Sequence, residues 1–444
     1  MKIEYKSGSS STHVNIVAWS VRKSCLAVDQ FLSRPAFPEA AEAAAASVLA
    51  DIRTRGEAAI LEAAKKFDGA ALKASELRIS AAELAAATKA VPVRVKRAVQ
   101  EAHERVLTFA CAGMREPWYI QTPRGGYTGE FYSAMDRVGV YVPGGTAPLA
   151  STSLMTVTLA KAAGVKEIVA CTPCGKDKQV NPVLLYALKL AGATEIYRVG
   201  GIQSIGLMAF GTKAIRPVQK IAGPGNAYVT AAKRQVYGYV AIDQVAGPSE
   251  IAILADQHAN PAWVAADLLS QAEHGSGHEK ALLVTDSKAL AEAVCDELAW
   301  QAARLPRQDM VERVIAAEGI LLVVVPNLKQ GMELVNQFAP EHFEIMTEHA
   351  RERVNDVRAA GAVFIGEWTP ESVGDFVAGP SHVLPTGGAA RMFNGLTADD
   401  FRRRHSFVEF TKADLDETRE AIETFAEVEG LAAHGRSASI RFDE

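Results

Sequence analysis

From residue 37 the stretch FPEAAEAAAASVLADIRTRGEAAILEAAKKFDG repeats apolar positions every three or four residues, the period of a helix with one buried face. ISAAELAAATKAV follows, with Ser80 and Glu83 at the spacing of a capping box. A third helix is predicted over about 91–113. Residues 1 to about 35 read as a partly extended arm. At Arg137 the period changes. RVGVYVP is a short β-rich run, GGTAPLAS a turn, TSLMTVTLAKAAG a helix and VKEIVACTP a second strand, which together make a βαβ unit. NPVLLYALKLAGA and TEIYRVGG repeat it, QSIGLMAFG opens another helix, and NAYVTAAKRQVYG predicts one more.

Beyond VAIDQVAGPSE the alternation resumes with IAILAD, PAWVAADLLSQAEH, KALLVTD, KALAEAVCDELAWQ, GILLVVV and AVFIG. Two successive sets of alternating strands and helices predict an α/β protein with two parallel, helix-covered sheets. A tail from about 397 ends in the helix DLDETREAIETFAEVEGLAAHG.

A chain of 444 residues exceeds what one hydrophobic core serves, so more than one domain is expected. Its formal charge of -5, with Lys and Arg scattered, gives nucleic-acid binding no electrostatic footprint. The longest apolar run, ILLVVV, is far short of the ~20 residues of a membrane helix. No apolar signal segment opens the chain, and a cytoplasmic protein without a membrane partner is expected. Five cysteines are too few and too odd for a disulfide framework. CTPC at Cys171 and Cys174 leads into a loop, not a helix that would activate a thiol, so it reads as a pair of structural cysteines.

No G-x-G-x-x-G fingerprint is present, and VPGGTAP, VGGIQ and AGPGNAYV each place glycines at a turn near a strand. Such turns let backbone approach a phosphate, and they are equally at home in any α/β protein. FAPEHFEIM sets Glu341 beside His342 among apolar residues, where a charge needs a partner or a use. Gln271 and His274 share one face at a helix end, while His274 and His278 alone read as solvated. Asp375 and His382 stand on a Gly/Pro-rich stretch, Glu429 and His434 near the C-terminus. Imidazole, carboxylate and amide oxygen suit Zn²⁺ or a similar ion, but no spacing assembles groups so distant in sequence.

The motifs VPGG, AGPGN, AGPSE, DLLSQAEHG, APEHFEI, GDFVAGPSHVLPTGG and EGLAAHGRS occur in the order found in histidinol dehydrogenases, and the resemblance runs from about residue 36 to the end. It implies two incomplete Rossmann-like domains, one from 36–140 with 250–396 and one from 141–249, between a 1–35 arm and a 397–444 tail. It implies a four-electron oxidation of a primary alcohol to a carboxylate by NAD at one zinc per subunit. Gln271, His274, Asp375 and His434 resemble the zinc ligands. Tyr141, Gln203 and Asn226 resemble NAD contacts. Ser249, His382 and Glu429 resemble substrate contacts, joined by His342 and the ligands. His342 resembles the base for the alcohol and Glu341 the base for water. The family's homodimer brings the tail of one chain to the other's site.

One loop departs from the pattern. PGGTAPLASTSLM has Leu149 and Ala150 where the family shows an aromatic residue and a proline. Relatives acting on sulfopropanediol also carry Pro-Leu there. Against that, Glu429 suits a cationic amine and EGLAAHGRS is the histidinol-type ending, so the resemblance makes L-histidinol the lead substrate and 2,3-dihydroxypropane sulfonate the alternative, with a non-catalytic metal- or nucleotide-binding relative as a third reading. A sulfonate would need a cation, for which Arg391, Arg402, Arg403 and Arg404 are in range, although the Arg triplet reads as a solvated helix end.

Overall fold

The computed structural model describes residues 2–7, 10–23, 25–33, 38–144, 149–245 and 247–443. The smaller parallel sheet holds β5 (Arg137–Tyr141), β6 (Glu167–Cys171), β7 (Glu195–Tyr197), β8 (Lys220–Ala222) and β9 (Ala241–Ile242), in the order β7-β6-β5-β8-β9. The larger holds β1 (Lys2–Ser7), β2 (Ser10–Ala18), β10 (Glu250–Ala255), β11 (Lys280–Thr285), β12 (Ile320–Val324), β13 (His342–Met346) and β14 (Ala362–Ile365), in the order β1-β2-β12-β11-β10-β13-β14. Only β1 is antiparallel to its neighbour. The smaller sheet winds outward in both directions from β5, and strands β10 to β14 of the larger sheet do so from β10. The strand order therefore reverses between β5 and β8, and again between β10 and β13.

Parallel strands covered on both faces read as unbroken apolar runs. β10 shows why. Ile251, Ile253 and Ala255 pack with the helices Pro261–Ala272, Lys288–Ala302 and Gln308–Ala316, while Ala252 and Leu254 pack with Leu26–Leu32 and Leu328–Phe338 on the other face. Alternate residues of one strand thus anchor two cores.

The two parallel sheets match the expected α/β class, and four details differ. Residues 10–18 of the predicted arm form β2, which lies parallel to β12. The helices Glu39–Arg55 through Val93–Ala112 share their core with the smaller sheet, where the sequence reading grouped 36–140 with the later segment. Burial, not chain order, decides that grouping. A third, antiparallel sheet of β3 (Trp118–Gln121), β4 (Tyr127–Ala134) and β15 (Arg402–Glu409) escaped the pattern. It puts Arg402, Arg403 and Arg404 on a strand instead of a helix end. The tail helix is two, Lys412–Val428 and Ala432–Ser439, broken where Gly430 takes φ 70°, a conformation that favours glycine.

A helix that follows a parallel strand must run back before the next strand can begin. Helix N-termini therefore gather at the C-terminal edge of a sheet, and helix C-termini at its N-terminal edge. The two edges differ in sign, because a helix carries about half a positive charge at its N-terminus and half a negative charge at its C-terminus. Among the described residues no helix is long and apolar enough to cross a membrane.

Candidate active site

Glu341 and His342 open β13 at the N-terminal edge of the larger sheet. The helix Leu328–Phe338 delivers them through Ala339, held at φ 51°, which turns the chain sharply into the strand. Beside them Glu250 opens β10. The Glu250 N–H donates to Glu341 Oε2 at 3.0 Å, and the Glu250 carbonyl lies 3.1 Å from His342 Nδ1. A carbonyl only accepts, so Nδ1 carries its proton and Nε2 faces the site. Nε2 stands 3.6 Å from Asp375 Oδ1 and has no hydrogen-bond partner.

Asp375 lies on the short helix Glu371–Phe376 and links two histidines. Its carbonyl accepts from His382 Nδ1 at 3.2 Å, and His382 Nε2 meets Thr152 Oγ1 at 3.0 Å. Thr152 follows the C-terminal end of β5. The contact therefore joins the C-terminal edge of one sheet to the N-terminal edge of the other. Ser381 to the Met155 carbonyl, 2.9 Å, and Gly387 N–H to Glu250 Oε2, 3.1 Å, brace the same junction.

Burial is the largest influence on Glu341 and pushes its carboxyl up to about 8, against the pull of His342. Burial alone would lower His342, but Glu341 and Asp375 outweigh it and raise the imidazole to about 10. Asp375 is held well below its ordinary range because His342 and His382 outweigh its burial. His382 is lowered, chiefly by burial, which keeps it neutral.

Gln271 stands at the end of the helix Pro261–Ala272, fully buried at 0% exposure, with neither amide atom partnered. Such orphans cost roughly 1–3 kcal/mol each unless something binds them. Ser270, next to it, donates to Glu371 Oε2 at 2.8 Å and ties that helix to the one bearing Asp375. One ligand atom from each of His342, Glu371 and Asp375 lies within 4.8 Å of the others. The unpartnered amide oxygen of Gln271 and the carboxylate of Asp375, at an edge of helix C-termini, fit a divalent cation. His274, one turn beyond Gln271, is exposed on the same edge and close enough to disfavour the charge on His382.

Three buried acids belong to this site and went unread in the sequence. Glu371 is raised to about 7 by burial and by Asp375. Glu344 is raised well above its ordinary range by burial and by Asp267, itself raised to about 6 by burial. Spacing could have found them. Glu371 precedes Asp375 by four, Asp267 precedes Gln271 by four, and Glu344 follows His342 by two on a strand, each pair sharing a face.

The smaller sheet offers the opposite edge. Tyr141 ends β5, and its hydroxyl accepts from Gly201 N–H at 3.5 Å. Gln203 is buried in the first turn of the helix Gly201–Phe210. Its Nε2 donates to Asp68 at 2.9 Å and its Oε1 is unpartnered. Asn226 caps the helix Ala227–Val236, accepting from Tyr228 and Val229 N–H at 3.1 and 3.2 Å. Gly223 between them has φ 118°, and a Cβ there would lie 2.1 Å from the Tyr141 carbonyl, so only glycine fits. Thr172 Oγ1, after β6, is also buried and unpartnered. These groups flank the β5/β8 reversal, the place where open α/β sheets bind dinucleotides.

Other expected groups stand apart. Ser249 is half-buried just before Glu250. Glu429 and His434 are exposed on the tail, and no hydrogen bond or ion pair among the described residues joins them to the cluster. His278 is exposed, as expected. Cys171 and Cys174 are free thiols, both raised by burial, which fits structural cysteines. Residues 146–148 of the altered loop lie outside the described residues.

The chain matches known proteins over nearly its whole length. The family model described as histidinol dehydrogenase matches residues 33–442. A histidinol dehydrogenase from Synechococcus sp. is 45% identical over 400 residues, 90% of this chain and 92% of that protein. One from Xanthomonas axonopodis pv. citri is 41% identical over 432 residues, 96% and 99% of the two. The crystal structure of histidinol dehydrogenase from Elizabethkingia anophelis superposes with a TM-score of 0.91 at 35% identity, covering 97% of this chain and 98% of that one.

The Glu341 carboxyl generates a pH prediction. The unfolded chain loses this proton near 4.5 and the folded chain near 8. Between those values the folded state holds the extra proton, so stability falls as pH rises. Relative to the Glu341→Gln variant, wild type should lose up to about 1.4 kcal/mol per pH unit across that window. Urea unfolding of both proteins with chelator present reads this directly. Parallel pH curves would contradict it.

Proposed function

The chain belongs to the histidinol dehydrogenase family and is an NAD-dependent oxidoreductase, and on that premise we propose that it oxidises L-histidinol through the aldehyde to L-histidine with Zn²⁺ as its metal. The observation that carries the metal assignment is the buried, unpartnered Gln271 amide, on a helix that Ser270 ties to the one bearing Asp375. Gln271, His274, Asp375 and the tail residue His434 would hold the ion, and Tyr141, Gln203 and Asn226 the dinucleotide. When bound, the metal supplies a Lewis acid and NAD a hydride acceptor.

The protein's own groups then divide the work. His342 takes the alcohol proton at Nε2, because Glu250 fixes the ring by its Nδ1–H. A cation beside Asp375 would oppose the carboxylates that now favour the imidazolium, releasing Nε2 as a base. Glu341, held near neutrality by burial, accepts the proton of the water that hydrates the aldehyde. His382, kept neutral, orients Asp375 through its carbonyl. Ser249 and Glu429 receive the substrate's polar end, Glu429 by pairing with the ammonium.

Among the described residues, the four arginines in range of a sulfonate each have another partner. Arg402 is bound to Asp399 at 2.9 Å, Arg403 faces Asp136 and Arg404 faces Glu130, while Arg391 donates to the Gln337 carbonyl. The relatives described above bear the histidinol name, which favours the amine.

We read the unit around the smaller sheet, 141–249, as the dinucleotide half and the larger sheet as the chemistry half. Because Glu429 and His434 stand exposed on a tail that also exposes Phe425, Val428 and Leu431, we assign them to the site of a second copy. A homodimer then completes each site.

Four measurements test this reading. In Gln271→Leu, retained zinc should fall more than about 10-fold, while stability in chelator stays level or rises, since an apolar isostere removes the orphan. Full zinc content in that variant would remove the ligand assignment. Wild type should yield two NADH per alcohol. His342→Ala should slow alcohol oxidation most, and Glu341→Gln the aldehyde half-reaction, each by about 10²–10⁴-fold. Equal losses in both halves would defeat the division. Finally, His342→Ala and His434→Ala chains, each inactive alone, should regain about a quarter of wild-type activity when unfolded and refolded together, because half of the mixed dimer's sites are intact. No recovery would place His434 in its own chain's site.

A further inference from the structure

Among the described residues, three buried glutamines have an amide atom without a partner. Gln271 and Gln203 sit at positions already given to the metal and the cofactor. The third, Gln244, has no assigned use, and both its Nε2 and Oε1 are unpartnered at 4% exposure. An isolated buried amide is destabilising, and an apolar side chain of that size would serve the core better.

Its place in the fold says what it could meet. Gln244 follows β9 at the C-terminal edge of the smaller sheet, on the β8–β9 side of the reversal. A dinucleotide spans such a reversal, one nucleotide on each side. Its backbone is locked to the cofactor turn: Asp243 accepts from Gln244 N–H at 2.6 Å and from Gly223 N–H at 2.7 Å, and pairs with the buried Lys233, which also donates to the Gly223 carbonyl at 2.9 Å. In the other direction the chain reaches Gly247, bound to Thr386, and Glu250, which holds Glu341 and His342. Gln244 therefore belongs to the segment that connects the Gly223 turn with the strand holding the proton-transfer pair, and hydride can pass only if the reactive end of the dinucleotide comes near that pair.

We propose that the Gln244 amide binds the carboxamide of the nicotinamide ring. The chemistry matches, because each amide offers one N–H donor beside one carbonyl acceptor, and two such groups pair in plane. A fixed carboxamide sets which ring edge faces the substrate, so Gln244 is a specificity-determining group for the cofactor's reactive end. This rests on the proposed placement of NAD at the β5/β8 edge.

The experiment compares wild type with Gln244→Leu and Gln244→Met, two apolar variants so that misfolding of one leaves the other. The probes are NAD⁺, its 3-acetylpyridine analogue, which keeps the acceptor but lacks the amide N–H, and ADP-ribose, which lacks the ring. The KM for NAD⁺ should rise about 10-fold, that for the analogue should rise less, and inhibition by ADP-ribose should not change. An unchanged KM for NAD⁺ in both variants, a rise confined to the KM of the alcohol, or equal weakening of NAD⁺ and ADP-ribose would each overturn it. Gln203→Ala separates the underlying placement: it should weaken ADP-ribose, and if it does not, the placement falls and this inference with it.

Discussion

The main chain of Glu250 holds Glu341 and His342 in place. Its N–H fixes one oxygen of Glu341 and its carbonyl fixes Nδ1 of His342. Both bonds depend on register, since β10 and β13 pair with Ile251 opposite His342. A slip of one residue would turn the imidazole to the other face of the sheet. The register is set in turn by the apolar alternation of β10 between two cores. The Glu341–His342 pair is thus positioned by hydrophobic packing, through one residue's backbone, and carries no tolerance for a different strand alignment.

Around that pair, the two sheets present edges of opposite character. The larger sheet contributes its N-terminal edge, where helix C-termini favour a cation, and the acids Asp267, Glu344, Glu371 and Asp375 gather there. The smaller contributes its C-terminal edge, where helix N-termini favour the phosphates of a dinucleotide. Thr152 to His382 and Ser381 to Met155 bring the two together. The proposed reaction, an alcohol held at a cation against an anionic cofactor, needs both signs within a few ångströms. Two sheets meeting edge to edge provide that without burying either charge against its own dipole.

The strands and helices were legible because their periods are strong and their buried runs short and apolar. GILLVVV and IAILAD could be little else. What escaped had a physical reason. β4 and β15 alternate weakly because their sheet is half exposed, and helices 39–112 showed an apolar face without showing which sheet it would meet. In the site, adjacency alone marked Glu341 and His342, while the ligand set came from resemblance. Glu371, Glu344 and Asp267 were hidden among ordinary helix and strand acids, because burial, not residue type, makes them unusual. Gln244 had no signal at all, since an amide beside a strand end is unremarkable until its partners are counted.

The meeting of the two edges at one metal is most directly tested by anomalous X-ray scattering at the zinc edge, on crystals of the zinc-loaded protein. The account predicts one strong peak per subunit, within coordination distance (about 2.0–2.2 Å) of Gln271 Oε1 and Asp375, with His342 Nε2 left free to face substrate. A peak held instead by His342, Glu371 and Asp375, with Gln271 uninvolved, would contradict it, because the imidazole could not then be both ligand and base.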